Sequence, residues 1–123
     1  MHELGICRAL VTRLEEVGRE QRGRILSARV AIGPLSGIEP ALLAAAFPLA
    51  ATGSEAEGAV LEIEEQAVRV RCRSCGRESA AAPNRLICAA CGDWRTDLVS
   101  GDEIMLLRVE LDQSPERSEA LNV

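Results

Sequence analysis

The pattern Cys72-x2-Cys75 followed by Cys88-x2-Cys91 constrains this chain more than any other feature of its sequence. Twelve residues separate the two pairs, and each second cysteine is followed by a glycine, Gly76 and Gly92. A two-residue gap lets both thiolates of a pair address one ion, and the glycine permits the tight turn that brings them there. Two such knuckles supply a closed tetrahedral set of four thiolates. Soft thiolates in that array favour zinc, with iron the main competitor. Four protein ligands leave no open position for water, so the site is structural rather than hydrolytic. The segment around it is short and poor in aromatics, so the metal must contribute much of its stability.

The remainder must fold by other means. A chain of 123 residues buries one modest core, and a second small domain only if something besides apolar packing staples it. One Phe, one Trp and no Tyr leave Ala, Val, Leu and Ile to build that core. No apolar run approaches the ~20 residues of a membrane span. Met1-His2-Glu3-Leu4 lacks the basic and apolar regions of a signal peptide. A cytoplasmic protein with reduced thiols is the expectation, and the paired cysteines are read as ligands rather than disulfides. The fifth cysteine, Cys7, falls on an apolar helix face and is read as a small hydrophobe.

Residues 4–20 read as an amphipathic helix, because Leu4, Cys7, Leu10, Val11, Leu14 and Val17 recur at the spacing of one buried face. Gly23 marks its exit. Residues 25–33 alternate, with Leu26, Ala28, Val30 and Ile32 on one side, as in a half-buried strand. A loop over 33–37 precedes a second helix, expected over 39–51 with Leu42, Leu43, Ala46 and Phe47 inward. Pro48 lacks an N–H and should kink or end that helix. Residues 59–65 form another alternating strand, and Val68 and Val70 begin a short one leading into the cysteines. Residues 103–111 form a long strand with Met105, Leu107, Val109 and Leu111 on one face. The order predicts an α+β core with the cysteine module inserted between two strands of its sheet. The expected division is an α/β domain of residues 1–65 and 102–111, a zinc-binding domain of 66–101, and a flexible tail of 112–123.

The net charge of −5 argues against nucleic acid as a default partner, since phosphate binding needs surplus Lys and Arg. The charge is uneven, however. Between Gln66 and Ser100 stand Arg69, Arg71, Arg73, Arg77, Arg85 and Arg95 against Glu78, Asp93 and Asp97, a surplus of +3 that leaves −8 elsewhere. That surplus supports an alternative reading as a zinc-ribbon module for nucleic acid or protein, although stacking aromatics are scarce. A rubredoxin-like electron carrier would want an aromatic shell that Trp94 alone does not supply. An enzyme is the poorest reading. There is one histidine, no nucleophile paired with a base and no open metal position.

That histidine, His2, stands beside the α-amine of Met1, and Met before a bulky residue is normally not trimmed. The amine, the His2 backbone nitrogen and the imidazole can close adjacent chelate rings on one ion. The Glu3 amide or the Glu3 carboxylate can complete four-coordination. Nitrogen-rich, square-planar geometry suits Ni(II) or Cu(II). Taken together, Met1-His2-Glu3-Leu4, Cys7, the segment Ile32-Gly33-Pro34-Leu35-Ser36-Gly37-Ile38-Glu39-Pro40 and the two knuckles resemble the HypA/HybF family over about residues 1–111.

The resemblance implies a nickel metallochaperone that helps insert nickel into nickel–iron hydrogenase and performs no catalysis. It implies a small mixed three-stranded sheet with two helices, plus an inserted zinc-ribbon-like domain. His2 would be a nickel ligand, with the amide and carboxylate of Glu3 as further donors, while Cys72, Cys75, Cys88 and Cys91 would hold zinc. The implied partners are the GTPase HypB and the hydrogenase large subunit, with no nucleic acid or membrane. A homodimer, and a second nickel enzyme such as urease as client, both stay open. Pro48 and the basic cysteine module depart from the family pattern.

Overall fold

The computed structural model describes residues 2–112. Its elements run α1 (His2–Gln21), β1 (Arg24–Ile32), α2 (Pro40–Ala51), β2 (Val60–Glu65), β3 (Arg69–Cys72), β4 (Glu78–Ala80), β5 (Thr96–Ser100) and β6 (Ile104–Asp112). They form two three-stranded sheets, ordered β2-β1-β6 and β4-β3-β5. The class is α+β, as expected, and the cysteine module falls between β2 and β6 in chain order. The α-amine of Met1 and all of the expected tail beyond Asp112 lie outside the described residues. The chain gathers into two compact units. One comprises the described parts of Met1–Arg29, Ala41–Glu62 and Leu106–Val123, the other Val30–Pro40 and Ile63–Met105.

In the first unit α1 buries Cys7, Val11, Leu14 and Gly18 at helical spacing. It begins two residues earlier than the apolar pattern indicates, which takes His2 and Glu3 into its first turn. Its exit differs too. Arg22, not Gly23, takes the left-handed conformation (φ 54°), and the Gly23 N–H donates to the Gly18 carbonyl at 3.0 Å. A side chain at Gly18 would meet the Gly23 carbonyl at 3.0 Å and the Ile25 side chain at 3.5 Å, so this face of α1 has no room for a larger residue.

Two expectations for inward faces need correction. The first is Leu26, which is exposed while Ile25 and Ala28 are buried, so the alternation of β1 breaks between them. The second is Leu42: α2 buries Leu43, Phe47 and Ala51, one residue per turn, and leaves Leu42 outside. Pro48 does not end α2, which continues to Ala51. Pro48 and Ala44 are both exposed, so the carbonyl deprived of its donor belongs to a residue open to water. Met105 and Leu107 of β6, an edge strand, are likewise exposed.

In the second unit β3 pairs antiparallel with both β4 and β5, with Cys72 opposite Thr96. β4 and β5 have no counterpart among the expected elements. The segments entering and leaving the cysteine module are tied together. Gln66 Oε1 accepts the N–H groups of Gly101 at 3.0 Å and Glu103 at 3.3 Å, and the Leu35 N–H donates to the Gly101 carbonyl at 2.8 Å. Gly33 must be glycine here, since a Cβ would stand 2.1 Å from the Gly101 oxygen.

Candidate metal centre

Each cysteine pair folds into the same small loop. In the first, the Cys72 N–H donates to the Arg77 carbonyl at 2.9 Å and the Gly76 N–H returns to the Cys72 carbonyl at 3.0 Å. In the second, Cys88 N–H to Asp93 and Gly92 N–H to Cys88 repeat this, both at 2.9 Å. Gly76 and Gly92 both have φ 76°, the left-handed conformation that a side chain would strain. The loops point two N–H groups at the leading sulfur of each pair. Ser74 and Cys75 donate to Cys72 Sγ at 3.3 and 3.4 Å, and Ala90 and Cys91 to Cys88 Sγ at 3.3 and 3.4 Å.

All four sulfurs lie within 4.8 Å of one another, with Cys72–Cys91 and Cys75–Cys88 at 3.6 Å. A tetrahedral ion with metal–sulfur bonds of about 2.3 Å sets its sulfurs about 3.8 Å apart, so the donors fit one ion. Cys72 and Cys88 are buried, whereas Cys75 and Cys91 form the exposed side of the cluster. The N–H groups favour thiolate. The Cys91 N–H does most to bring the Cys88 thiol down to about 6, and the Cys75 N–H lowers Cys72. At Cys91 a backbone N–H from Asp93 acts downward, but the Cys72 thiol, burial and the other two sulfurs push it up to about 12. The loops thus favour the thiolate form at both leading positions, and a cation would favour it at Cys91 as well.

A polar clamp beside the cluster was not anticipated from the sequence. The Ser74 hydroxyl, in the first knuckle, donates to Asp93 Oδ2, in the second. The Arg95 guanidinium donates to both Asp93 oxygens at 3.2 and 2.9 Å and to Ser74 Oγ at 3.3 Å. These contacts, Arg95 first, hold the Asp93 carboxyl far below the usual range. Other arginines are paired as well: Arg73 with Asp97 at 2.7 Å, and Arg69 and Arg71 with Glu78 at 3.3 and 3.9 Å. Four of the module's six arginines therefore face carboxylates. Trp94, 76% exposed, is turned to solvent and forms no shell over the sulfurs.

The N-terminal residues occupy a different setting. The His2 side chain is exposed, and its Nε2 lies 3.5 Å from the Glu3 Oε2. Glu3 is buried, the one charged side chain in the core of the described residues. Nothing in the sequence marked that burial, because Glu3 precedes the apolar periodicity. Cys7, one turn along the same helix, is fully buried and donates its thiol to the Leu43 carbonyl at 3.4 Å. Burial, and then the nearby Glu3 charge, push its thiol up, so it stays a neutral packing group.

The whole described chain has counterparts among known proteins. The family model for hydrogenase/urease nickel incorporation, metallochaperone HypA, matches residues 1–111. The hydrogenase maturation factor HypA of Nitrosospira multiformis is 42% identical over 112 residues, covering 90% of this chain and 97% of that protein. Its counterpart from Aquifex aeolicus is 36% identical over 91% of this chain and 98% of its own length. Among solved structures, a solution structure of HypA protein superposes with a TM-score of 0.73 at 25% identity, covering 93% of this chain and 98% of its own. The nickel metallochaperone HypA from Helicobacter pylori shares the fold, with a TM-score of 0.70 at 24% identity over 89% of this chain and 96% of that one. On a match that runs from the first residue through β6, with the two knuckles inside it, the chain belongs to the HypA family of nickel-incorporation metallochaperones.

Proposed function

We propose that this chain carries Ni(II) at its N-terminus and delivers it during maturation of nickel–iron hydrogenase, while Cys72, Cys75, Cys88 and Cys91 hold a permanent zinc. The observation that carries the reading is the contrast between the two donor sets. Four convergent sulfurs close a site with no place for water or substrate, which suits a resident structural ion. The His2 imidazole is exposed at the first turn of α1 with the Glu3 carboxylate 3.5 Å away, which suits an ion that must be taken up and released.

The chemistry of the helix start favours such a site. Amides of a first helical turn take no part in the intrahelical ladder, so the His2 and Glu3 nitrogens can be deprotonated without breaking one. The N-terminal end of a helix repels a bare cation and favours negative charge. A nickel chelate built from the Met1 amine, the His2 imidazole and deprotonated backbone nitrogen, with the Glu3 carboxylate close by, offsets the ion's charge with donors that have lost protons. No residue here turns a substrate over, and the role is binding and transfer in the cytoplasm. The GTPase HypB and the hydrogenase large subunit are the partners, and residues 66–101 act as the zinc-binding domain beside an α/β domain of 1–65 and 102–111. Titration of zinc-loaded protein with Ni(II) tests the reading: one equivalent should bind without displacing zinc. Nickel that enters only as zinc leaves would sink it.

A further inference from the structure

The sheet β2-β1-β6 has two edges of opposite character. β2 carries Glu62, Glu64 and Glu65 and no basic residue, so a second copy brought to that edge would meet like charge. β6 is different. It runs nine residues without a proline, none of them buried, and Met105 and Leu107 are 44% and 47% exposed. Long edges with apolar side chains invite another strand unless charge, proline or a bulge blocks them. The charges before Asp112 are Arg108 and Glu110, one of each sign. They share one face and stand 3.7 Å apart with both side chains open to water, a spacing and exposure that make their own pairing weak.

The start of β6 orients its backbone. The Gly33 N–H, just past β1, donates to the Glu103 carbonyl at 2.8 Å, so the residue before β6 aims its carbonyl towards β1. These groups alternate along a strand, which turns the N–H and C=O of Arg108 and Glu110 to the open edge. A strand added there must bring its own outward-facing residues to them. A two-fold axis at Val109 does so. Arg108 then stands opposite Glu110 of the second copy, and Glu110 opposite its Arg108. Val109 faces Val109, and Leu107 faces Leu111, on the other side of the sheet. Leu107-Arg108-Val109-Glu110-Leu111 therefore reads alike in both directions except that the charge inverts, which is what a strand needs to complement itself. With the axis one residue to either side, Arg108 or Glu110 would face its own copy. We propose that β6 is a homodimerisation edge, pairing antiparallel with β6 of a second copy about Val109 to make one six-stranded sheet from two of three. The inverted charges are what favour a copy of this chain over an unrelated strand.

This pairing uses none of the nickel or zinc donors, so it stands or falls apart from the metallochaperone reading. Zinc-loaded full-length protein is followed by sedimentation equilibrium. Wild type should form a dimer that dissociates on dilution. Arg108→Glu and Glu110→Arg each set like charges opposite one another at both symmetric positions. Each alone should weaken the dimer by about tenfold or more. Zinc content and circular dichroism should not change, because both side chains are exposed. Mixing the two variants one to one should restore association, since every cross-strand pair is again of opposite sign. The Arg108 and Glu110 amides should exchange slowly in wild type and quickly in the Arg108→Glu protein. A wild type that stays monomeric up to about 1 mM overturns the proposal. So does a dimer that both variants leave intact, or a mixture that associates no better than either variant alone, because each places the contact elsewhere.

Discussion

The two compact units hold themselves together by different physics. The first is ordinary apolar packing: Phe47, Leu14, Ile25 and Leu43 are its largest fully buried side chains. Each contributes roughly 1.5–3 kcal/mol by leaving water. The second has Val30, Val70 and two cysteines as its largest fully buried side chains. Its order comes from two short antiparallel pairings, repeated N–H···S contacts and a cross-knuckle clamp, all converging on four sulfurs. The first unit loses stability in proportion to the volume removed from it. The second is built around one four-sulfur cluster, so losing one of those sulfurs removes its organising centre at once.

The largest effect should come from breaking that centre. Cys91→Ala, or strong chelation of the wild type, should release the metal and abolish order in β3–β5, since structural zinc contributes on the order of 10–16 kcal/mol in small modules. The α1 and α2 helices should persist, which circular dichroism and hydrogen exchange can follow separately. Full zinc retention by Cys91→Ala would contradict it. Next in size is Phe47→Ala, which empties the middle of the first core and should cost about 3–5 kcal/mol. Thermal unfolding should show the loss while zinc content of the folded protein stays at one per chain. Smaller again is Gly33→Ala, whose methyl meets the Gly101 backbone. Forcing those segments apart should cost about 1–3 kcal/mol, and exchange of the Leu35 and Gly33 amides should quicken before that of α1.

How much of this was legible follows the same division. Metal spacing is written locally, so Cys72, Cys75, Cys88 and Cys91 could be placed in one cluster before any fold was known. The elements hung from that cluster were not legible. Glu78–Ala80 and Thr96–Ser100 are too short and too polar to show alternation, and they are strands because the knuckles bring them to β3. Ser74, Asp93 and Arg95 meet only once both knuckles are folded. In the first unit periodicity located both helices but misplaced Leu26 and Leu42, because the inward direction is fixed by partners distant in sequence. The start of α1 at His2 and the burial of Glu3 left no apolar mark to read.

The smallest effect on the fold, with the largest on function, is expected at His2. Its side chain is exposed at the first turn of α1, so His2→Ala should leave thermal stability and zinc content nearly unchanged while abolishing nickel uptake and delivery. Appending residues before Met1 should do comparable damage. It converts a basic amine into an amide and breaks the first chelate ring, whereas a simple surface-histidine site would tolerate the extension. Glu3→Gln should be milder towards nickel, since it keeps the backbone nitrogen. It should carry a cost of its own in the fold, because Glu3 is buried beside Cys7 rather than solvated. The amine, imidazole and amide must all shed protons before they ligate, so nickel affinity should fall as pH drops below neutral and binding should release protons. Calorimetry in buffers of different ionisation heat counts those protons. An extended protein that bound nickel with unchanged affinity and spectrum would remove the amine from the ligand set, leaving His2 and Glu3 to bind without the terminal chelate.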